Sequence, residues 1–299
     1  PTLGPGDKIG TGDSSILYDF MPSKSALYPT LSSFNIFSRL CAEVRWQRMF
    51  HATGEVPRLV CVQGISQDDG SHPIYRHPSD HVLPLMPFSP SVDAIRLEAE
   101  KRVGHPLNHV LIQLYRSGND YISEHSDKTL DIVHGSKIVN ASFGALRTMR
   151  LRTKKPEIAT IARAESHPST VPSTSSSDRV TQRVPMPHNS LFVLGPDTNA
   201  TWLHGIQPDK RAPIDRSSAE LAEGGARVSL TFRHIGTWVS GDENLIWGQG
   251  ATARDKSEAR KTIHGGEEAK KLIMAFGAEN RSSEQNSWER FYGKRSDVL

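Results

Sequence analysis

The sequence predicts a mainly β chain with flanking helices, an α+β fold built around one sandwich or barrel. Three observations carry that reading. Short alternating or β-branched segments, separated by turn residues, recur from His109 to Ile235. Helical apolar spacing appears on both sides of them. No internal repeat or clean linker divides the 299 residues, 36% of them hydrophobic, which suffice for one large domain.

The elements follow in order. Residues 1–30, rich in Gly, Pro and Ser, read as an irregular N-terminal arm. Leu31, Phe34, Phe37, Leu40, Cys41 and Val44 recur at helical spacing and predict an amphipathic helix over Leu31–Trp46. Arg58–Val62 reads as a short strand, and Asp68–Pro90 as loop. Ser91–Val103 carries a helix signature that stops at Gly104. Strands are then expected at His109–Tyr115, Tyr121–Asp127, Lys137–Phe143 and Thr148–Arg152. Residues 153–187, dense in Ser, Pro and Thr, read as a flexible insertion. Strands resume at Ser190–Leu194, Thr201–His204 and Ala226–Ile235. One domain therefore spans 31–240. Residues 241–299 form a helical C-terminal extension packed on it, with Ala269, Leu272, Ile273 and Phe276 as its apolar stripe and Gly277 as its stop.

Bulk properties exclude several classes. The longest apolar runs, such as Leu191–Leu194, are too short to span a bilayer, so no membrane partner is expected. Two cysteines, Cys41 and Cys61, cannot build a disulfide framework. Read with the lack of an N-terminal apolar signal, they predict an intracellular protein, cytoplasmic or nuclear. A net charge of +3 neither demands nor forbids nucleic acid, because charge must cluster to act as a field.

The chemistry starts at Tyr121–Asp127. Alternation puts His125 and Asp127 on one strand face, about 7 Å apart along the backbone, so their side chains can converge on one ion. Alone, the triplet is weak: with 13 histidines, about one such His-x-Asp is expected by chance. His204, at the end of a later strand, completes two histidines and a carboxylate, a ligand set that leaves other metal positions open. The strand Ala226–Ile235 adds weight. Arg227, Ser229, Thr231 and Arg233 share one face, while Val228, Leu230 and Phe232 share the other. Inward guanidinium groups need partners. The two lie about 20 Å apart along extended backbone, and a five-carbon dicarboxylate fits between their side chains.

In its order of motifs the chain resembles the AlkB-like Fe(II)/2-oxoglutarate-dependent dioxygenase family. The resemblance rests on NHVLIQLY from Asn108, GNDYISEHSD from Gly118, SKIVNASFGALRTMRLR from Ser136, SLFVLGPDTNATWLH from Ser190 and RVSLTFR from Arg227. It implies a double-stranded β-helix, or jelly-roll, core. It implies Fe(II) on His125, Asp127 and His204, and 2-oxoglutarate on Gln113, Tyr115, Arg227, Ser229 and Arg233. With O2, that chemistry decarboxylates 2-oxoglutarate to succinate and oxidises a substrate C–H bond. A catalytically silent jelly-roll binding module is disfavoured, since loss of activity would release this intact set.

Substrate is where the match departs. Relatives acting on nucleobases commonly carry Asn where this chain has Gln113 and Ser229. They often carry Asp or Glu at the position of Thr129, and a Tyr-Gly pair where Gln63-Gly64 stands. Gln63, Tyr75 and Thr129 are the candidate substrate residues. Arg150, Arg152 and Lys154 alternate onto one strand face and could track phosphates or defend an edge. Met49-Phe50 could be a base-replacing wedge or an apolar pair closing a helix. On these grounds a small organic substrate (an amino acid, peptide or natural-product intermediate) is expected. The alternative is oxidative demethylation of N-alkylated nucleobases in DNA or RNA.

Overall fold

The computed structural model describes residues 1–23, 35–51, 54–78, 83–155, 179–285 and 287–299. Among the described residues, eight strands between His109 and Arg233 form the core and are shared between two facing sheets. His109–Tyr115, Ile138–Gly144, Ser190–Leu194 and Arg227–Arg233 belong to the major sheet, with Arg227–Arg233 between the first two. Ile122–His125, Arg147–Thr153, Thr181–Met186 and Trp202–Ile206 form the minor sheet. All pairings within this core are antiparallel, as in a jelly roll. Ser15–Tyr18 extends the major sheet at one edge, and Gly54–Gly64 with Gln47–His51 extends it at the other.

Alternation explains why the sandwich has two differently furnished faces. Val228, Leu230 and Phe232 join Val110, Ile112, Val139, Ala141 and Phe143 in one apolar cluster. The helices Ile36–Glu43 and Pro90–Val103 cover that cluster with Ile36, Leu40, Val92 and Ile95. Burial of each such side chain stabilises by about 1.5–3 kcal/mol. The intervening Arg227, Ser229 and Arg233 turn the other way, toward the minor sheet. There Met149, Leu151, Val184, Met186, Trp202 and Ile206 close a second cluster. One wall of the inter-sheet space is therefore apolar while its deep end is polar.

Several elements differ from the sequence reading. The first helix covers Ile36–Glu43 rather than Leu31–Trp46; Leu31 and Phe34 lie outside the described residues. Val44 is extended and Trp46 Nε1 donates to the Cys41 carbonyl at 3.1 Å, so the chain turns there into the strand Gln47–His51. Within the expected irregular arm, Ser15–Tyr18 pairs with Ser190–Leu194. Of the expected insertion, residues 156–178 lie outside the described residues, and Thr181–Met186 is a strand paired with Arg147–Thr153. The second helix begins at Pro90 and stops at Gly104, which takes φ 74°, a conformation glycine adopts without strain.

The C-terminal region is mixed rather than purely helical. Leu245–Gly248 and Arg260–Lys261 join Thr237–Val239 and His72–Pro73 in a small third sheet. The helix Gly266–Arg281 then packs Leu272 and Phe276 against Leu130, Tyr292 and Val298. Ile273 is exposed, and Gly277 lies inside the helix, which runs one further turn. That turn is held by tertiary bonds from Glu279 and Asn280, which outweigh glycine's weak helix propensity.

Candidate active site

His125 ends the strand Ile122–His125, and His204 stands opposite it in register on Trp202–Ile206. A register shift separates this pair from Ile122–Ile206, and a bulge of that kind re-aims side chains. The two imidazole rings lie 4.5 Å apart between centroids. Gly205 follows because a Cβ there would come within 2.8 Å of the Ile122 carbonyl oxygen. Asp127 lies beyond the strand end, in a loop, and not on the extended strand expected to reach it. Its backbone is clamped by Asn199, which accepts from the Asp127 N–H at 2.9 Å and donates to its carbonyl at 3.0 Å. One donor atom from each of His125, Asp127 and His204 falls within 4.8 Å of the others.

The electrostatics suit a cation. Burial pushes His204 down to about 3, aided by His125, and burial likewise lowers His125. His125 Nδ1 lies 2.8 Å from the Ser123 carbonyl, and donating there leaves Nε2 with its lone pair facing Asp127 at 3.9 Å. Burial works against ionisation of Asp127, but Arg233 and the two histidines together hold it down to about 2. Two neutral imidazoles and one carboxylate are the protonation states that a divalent metal requires.

Arg233 donates from Nε and Nη2 to Asp127 Oδ2 at 3.2 and 3.0 Å and lies over the Tyr75 ring at 4.1 Å. Arg227, at the other end of the same strand, is 0% exposed and among the described residues has no such carboxylate. Its Nε donates to Ser142 Oγ at 2.7 Å and its Nη2 to Asn140 Oδ1 at 3.2 Å. Among the described residues its Nη1 has no hydrogen-bond partner. Burial lowers Arg227 to about 10, which still leaves it charged at neutral pH. The Tyr115 ring lies 5.2 Å from Arg227, and the Tyr115 hydroxyl donates to Gln113 Oε1 at 3.3 Å.

One cavity joins these groups. His125, Asp127 and His204 line it, and so do Gln113, Tyr115, Arg227, Ser229 and Arg233. The three substrate candidates are not among its lining. Gln63 Oε1 accepts from the Ser89 N–H at 2.9 Å. Thr129 is turned to the Glu279 carboxylate. Tyr75 lies beside Arg233, and its hydroxyl accepts from the Lys128 N–H at 2.9 Å. Lys154, expected beside Arg150 and Arg152, is buried and donates to the Glu279 carbonyl at 2.9 Å.

Two contributors were not singled out from the sequence. Asn140 lines the cavity and donates to Ser229 Oγ at 2.8 Å. Its signal was available, since Val139, Ala141 and Phe143 claim the apolar face and leave Asn140 and Ser142 facing inward. Asn199 carried no local signal, because its partner is 72 positions away.

Residues 24–233 match the model of the 2OG-Fe(II) oxygenase superfamily. The chain belongs to that superfamily. Similar proteins include the alpha-ketoglutarate-dependent dioxygenase alkB homolog 3 of Rattus norvegicus. It is 27% identical over 221 residues, which make up 71% of this chain and 64% of that protein. The DNA oxidative demethylase ALKBH2 of Homo sapiens is 33% identical over 150 residues, 50% of this chain and 48% of that protein. The chain thus spans about half to two thirds of the length of these curated relatives. The structure of OsALKBH1 aligns with 74% of this chain and 96% of that one, at 13% identity and a TM-score of 0.43. The superfamily implies Fe(II) and 2-oxoglutarate, and the residues present fit both. The donor set suits a divalent metal, and the orphaned Arg227 Nη1 suits a carboxylate.

Proposed function

We propose that this chain is an Fe(II)- and 2-oxoglutarate-dependent dioxygenase that oxidatively demethylates N-alkylated nucleobases in DNA or RNA. The observation that carries the oxygenase reading is a buried, charged arginine without a carboxylate partner among the described residues, sharing one cavity with a His–Asp–His cluster. His125, Asp127 and His204 would hold the iron. Arg227, with Tyr115 and Gln113 beside it, would hold the carboxylate of 2-oxoglutarate remote from the metal. Arg233 keeps Asp127 ionised and oriented. When bound, iron, 2-oxoglutarate and O2 supply the oxidation of a C–H bond, with succinate as the second product. The chain's own contribution is ligand geometry, charge matching and exclusion of water.

The nucleobase reading replaces the small-molecule expectation because the grounds for the latter have weakened. Thr129 and Gln63 argued against a base, but both side chains are spent on internal bonds outside the cavity lining. Arg150 and Arg152 lie on the outer face of the minor sheet, since Met149 and Leu151 point inward. Arg183 stands opposite Arg150, and Arg179 donates to the Thr153 carbonyl nearby. Glu124 is the carboxylate paired with Arg150 and Arg152, at 3.4 and 4.0 Å. This excess of positive charge flanks the strand that carries His204 and suits a phosphate backbone. The names of the similar proteins, DNA oxidative demethylase among them, point the same way.

The test is succinate release with Fe(II), 2-oxoglutarate and a methylated oligonucleotide. The oligonucleotide is expected to stimulate turnover and to lighten by the mass of one CH2, as an N-methyl becomes N–H, and Asp127→Ala is expected to abolish both. No stimulation, together with turnover on a metabolite pool, would restore the small-molecule reading.

A further inference from the structure

The strand that carries His125 stops there, so the next four residues have no ladder to satisfy their backbone. Each of the four N–H groups is instead taken by a side chain from elsewhere. Ser126 donates to Asn280 Oδ1 at 2.9 Å and Asp127 to Asn199 Oδ1 at 2.9 Å. Lys128 donates to the Tyr75 hydroxyl at 2.9 Å and Thr129 to Glu279 Oε1 at 3.0 Å. Two of the four acceptors are adjacent residues of the helix Gly266–Arg281, which lies outside the stretch matched by the superfamily model.

These two side chains do more than meet one N–H each. Asn280 Oδ1 also accepts from Ser126 Oγ at 3.3 Å and from Lys128 Nζ at 3.1 Å. Glu279 Oε1 accepts from the Thr129 hydroxyl as well, and Oε2 accepts from the Tyr292 hydroxyl at 2.7 Å. Both Glu279 oxygens are thus committed. The residue is buried and does not line the cavity, so it is not placed to meet a substrate. Trp288 Nε1 donates to the Thr129 carbonyl at 3.0 Å, and Lys154 ties the Glu279 carbonyl to the end of Arg147–Thr153. Loop conformations that break these bonds leave buried donors unsatisfied, which disfavours them strongly.

We propose that Asn280 and Glu279 are positioning residues for the metal centre, holding the Ser126–Thr129 loop so that Asp127 meets His125 and His204. The C-terminal helix then belongs to the site and is not an appendage to it. This inference rests on the metal assignment above.

The test titrates Mn(II) calorimetrically into the full chain and records Tm on the same samples. Asn280→Leu is expected to weaken Mn(II) binding about tenfold or more, the scale seen when groups supporting metal ligands are lost. Asn280→Asp keeps the acceptor oxygen and is expected to bind Mn(II) nearly as the wild type does. A merely structural role lowers Tm but leaves the Mn(II) Kd of the folded variant unchanged, and that result overturns the proposal. Wild-type protein that binds no Mn(II) overturns the metal assignment itself, so the two failures are distinct. Should leucine prevent folding, Asn280→Ala, favoured at a helical position, carries the same expectation.

Discussion

Arg227 and Arg233 bound the same strand, are both fully or nearly fully buried, and line one cavity, yet their charges are handled in opposite ways. Arg233 is consumed by an internal ion pair with Asp127 at 3.0 Å. Arg227 is served by a hydroxyl and an amide, lies beside Tyr115, and among the described residues has one guanidinium nitrogen with no hydrogen-bond partner. A buried cation without a counter-charge is unfavourable by itself. Its retention in the fold makes sense where a ligand brings the missing anion. The difference separates a charge that holds the site together from a charge that receives something.

The largest effect that tests this contrast is on the metal-free protein. Arg233→Leu strips the counter-charge from buried Asp127 and is expected to destabilise by about 3 kcal/mol. Arg227→Leu removes a cation with no ion-pair partner among the described residues, and its stability is expected within about 1 kcal/mol of the wild type. Urea unfolding of both variants provides the comparison. Equal losses would erase the distinction between the two arginines.

The second effect runs in the reverse direction. For Arg227→Leu, the KM for 2-oxoglutarate is expected to rise about 10- to 100-fold, the worth of hydrogen bonds to a charged group. Turnover at saturating co-substrate changes less. In the wild type, 2-oxoglutarate with Mn(II) is expected to raise Tm, a linkage the variant loses. An unchanged KM would remove Arg227 from the co-substrate site.

What the sequence disclosed follows the same division. The face shared by Arg227, Ser229 and Arg233 was legible because a strand buried on both sides by opposite chemistries alternates without exception from Arg227 to Arg233. The convergence of His125 and His204 was legible as chemistry but not as register, which a bulge sets. Alternation puts Asp127 on the strand, whereas Asn199 holds its backbone in the loop beyond, through a bond that leaves no periodic trace. Thr129 and Gln63 show the same limit: Glu279 and the Ser89 N–H, both distant in sequence, decide where those side chains point. Local pattern reports which face a side chain takes. It does not report which partner, far along the chain, has already taken that side chain up.

Lys154 sharpens the comparison at the smallest scale, because it is another buried cation but does not line the cavity. Its ammonium donates to the Glu279 carbonyl at 2.9 Å, and burial lowers it from 10.5 to about 8, with Glu279 opposing that shift and Lys128 adding to it. The folded pKa lies below the unfolded one, so between about pH 8 and 10.5 the unfolded chain binds a proton that the folded chain lacks. Stability from this group therefore rises with pH across that window, by at most about 1.4 kcal/mol per unit, and the penalty is fully present below pH 8. Lys154→Met is expected to flatten that rise. At neutral pH it is expected to gain about 1 kcal/mol, after the lost bond to the Glu279 carbonyl is set against relief of the buried charge. Urea melts of wild type and variant across the window decide it. Parallel pH profiles would mean that this cation is hydrated or paired in the fold. The expected flattening shows instead that a buried charge can persist away from the cavity, so burial of a charge is not by itself a mark of a ligand site.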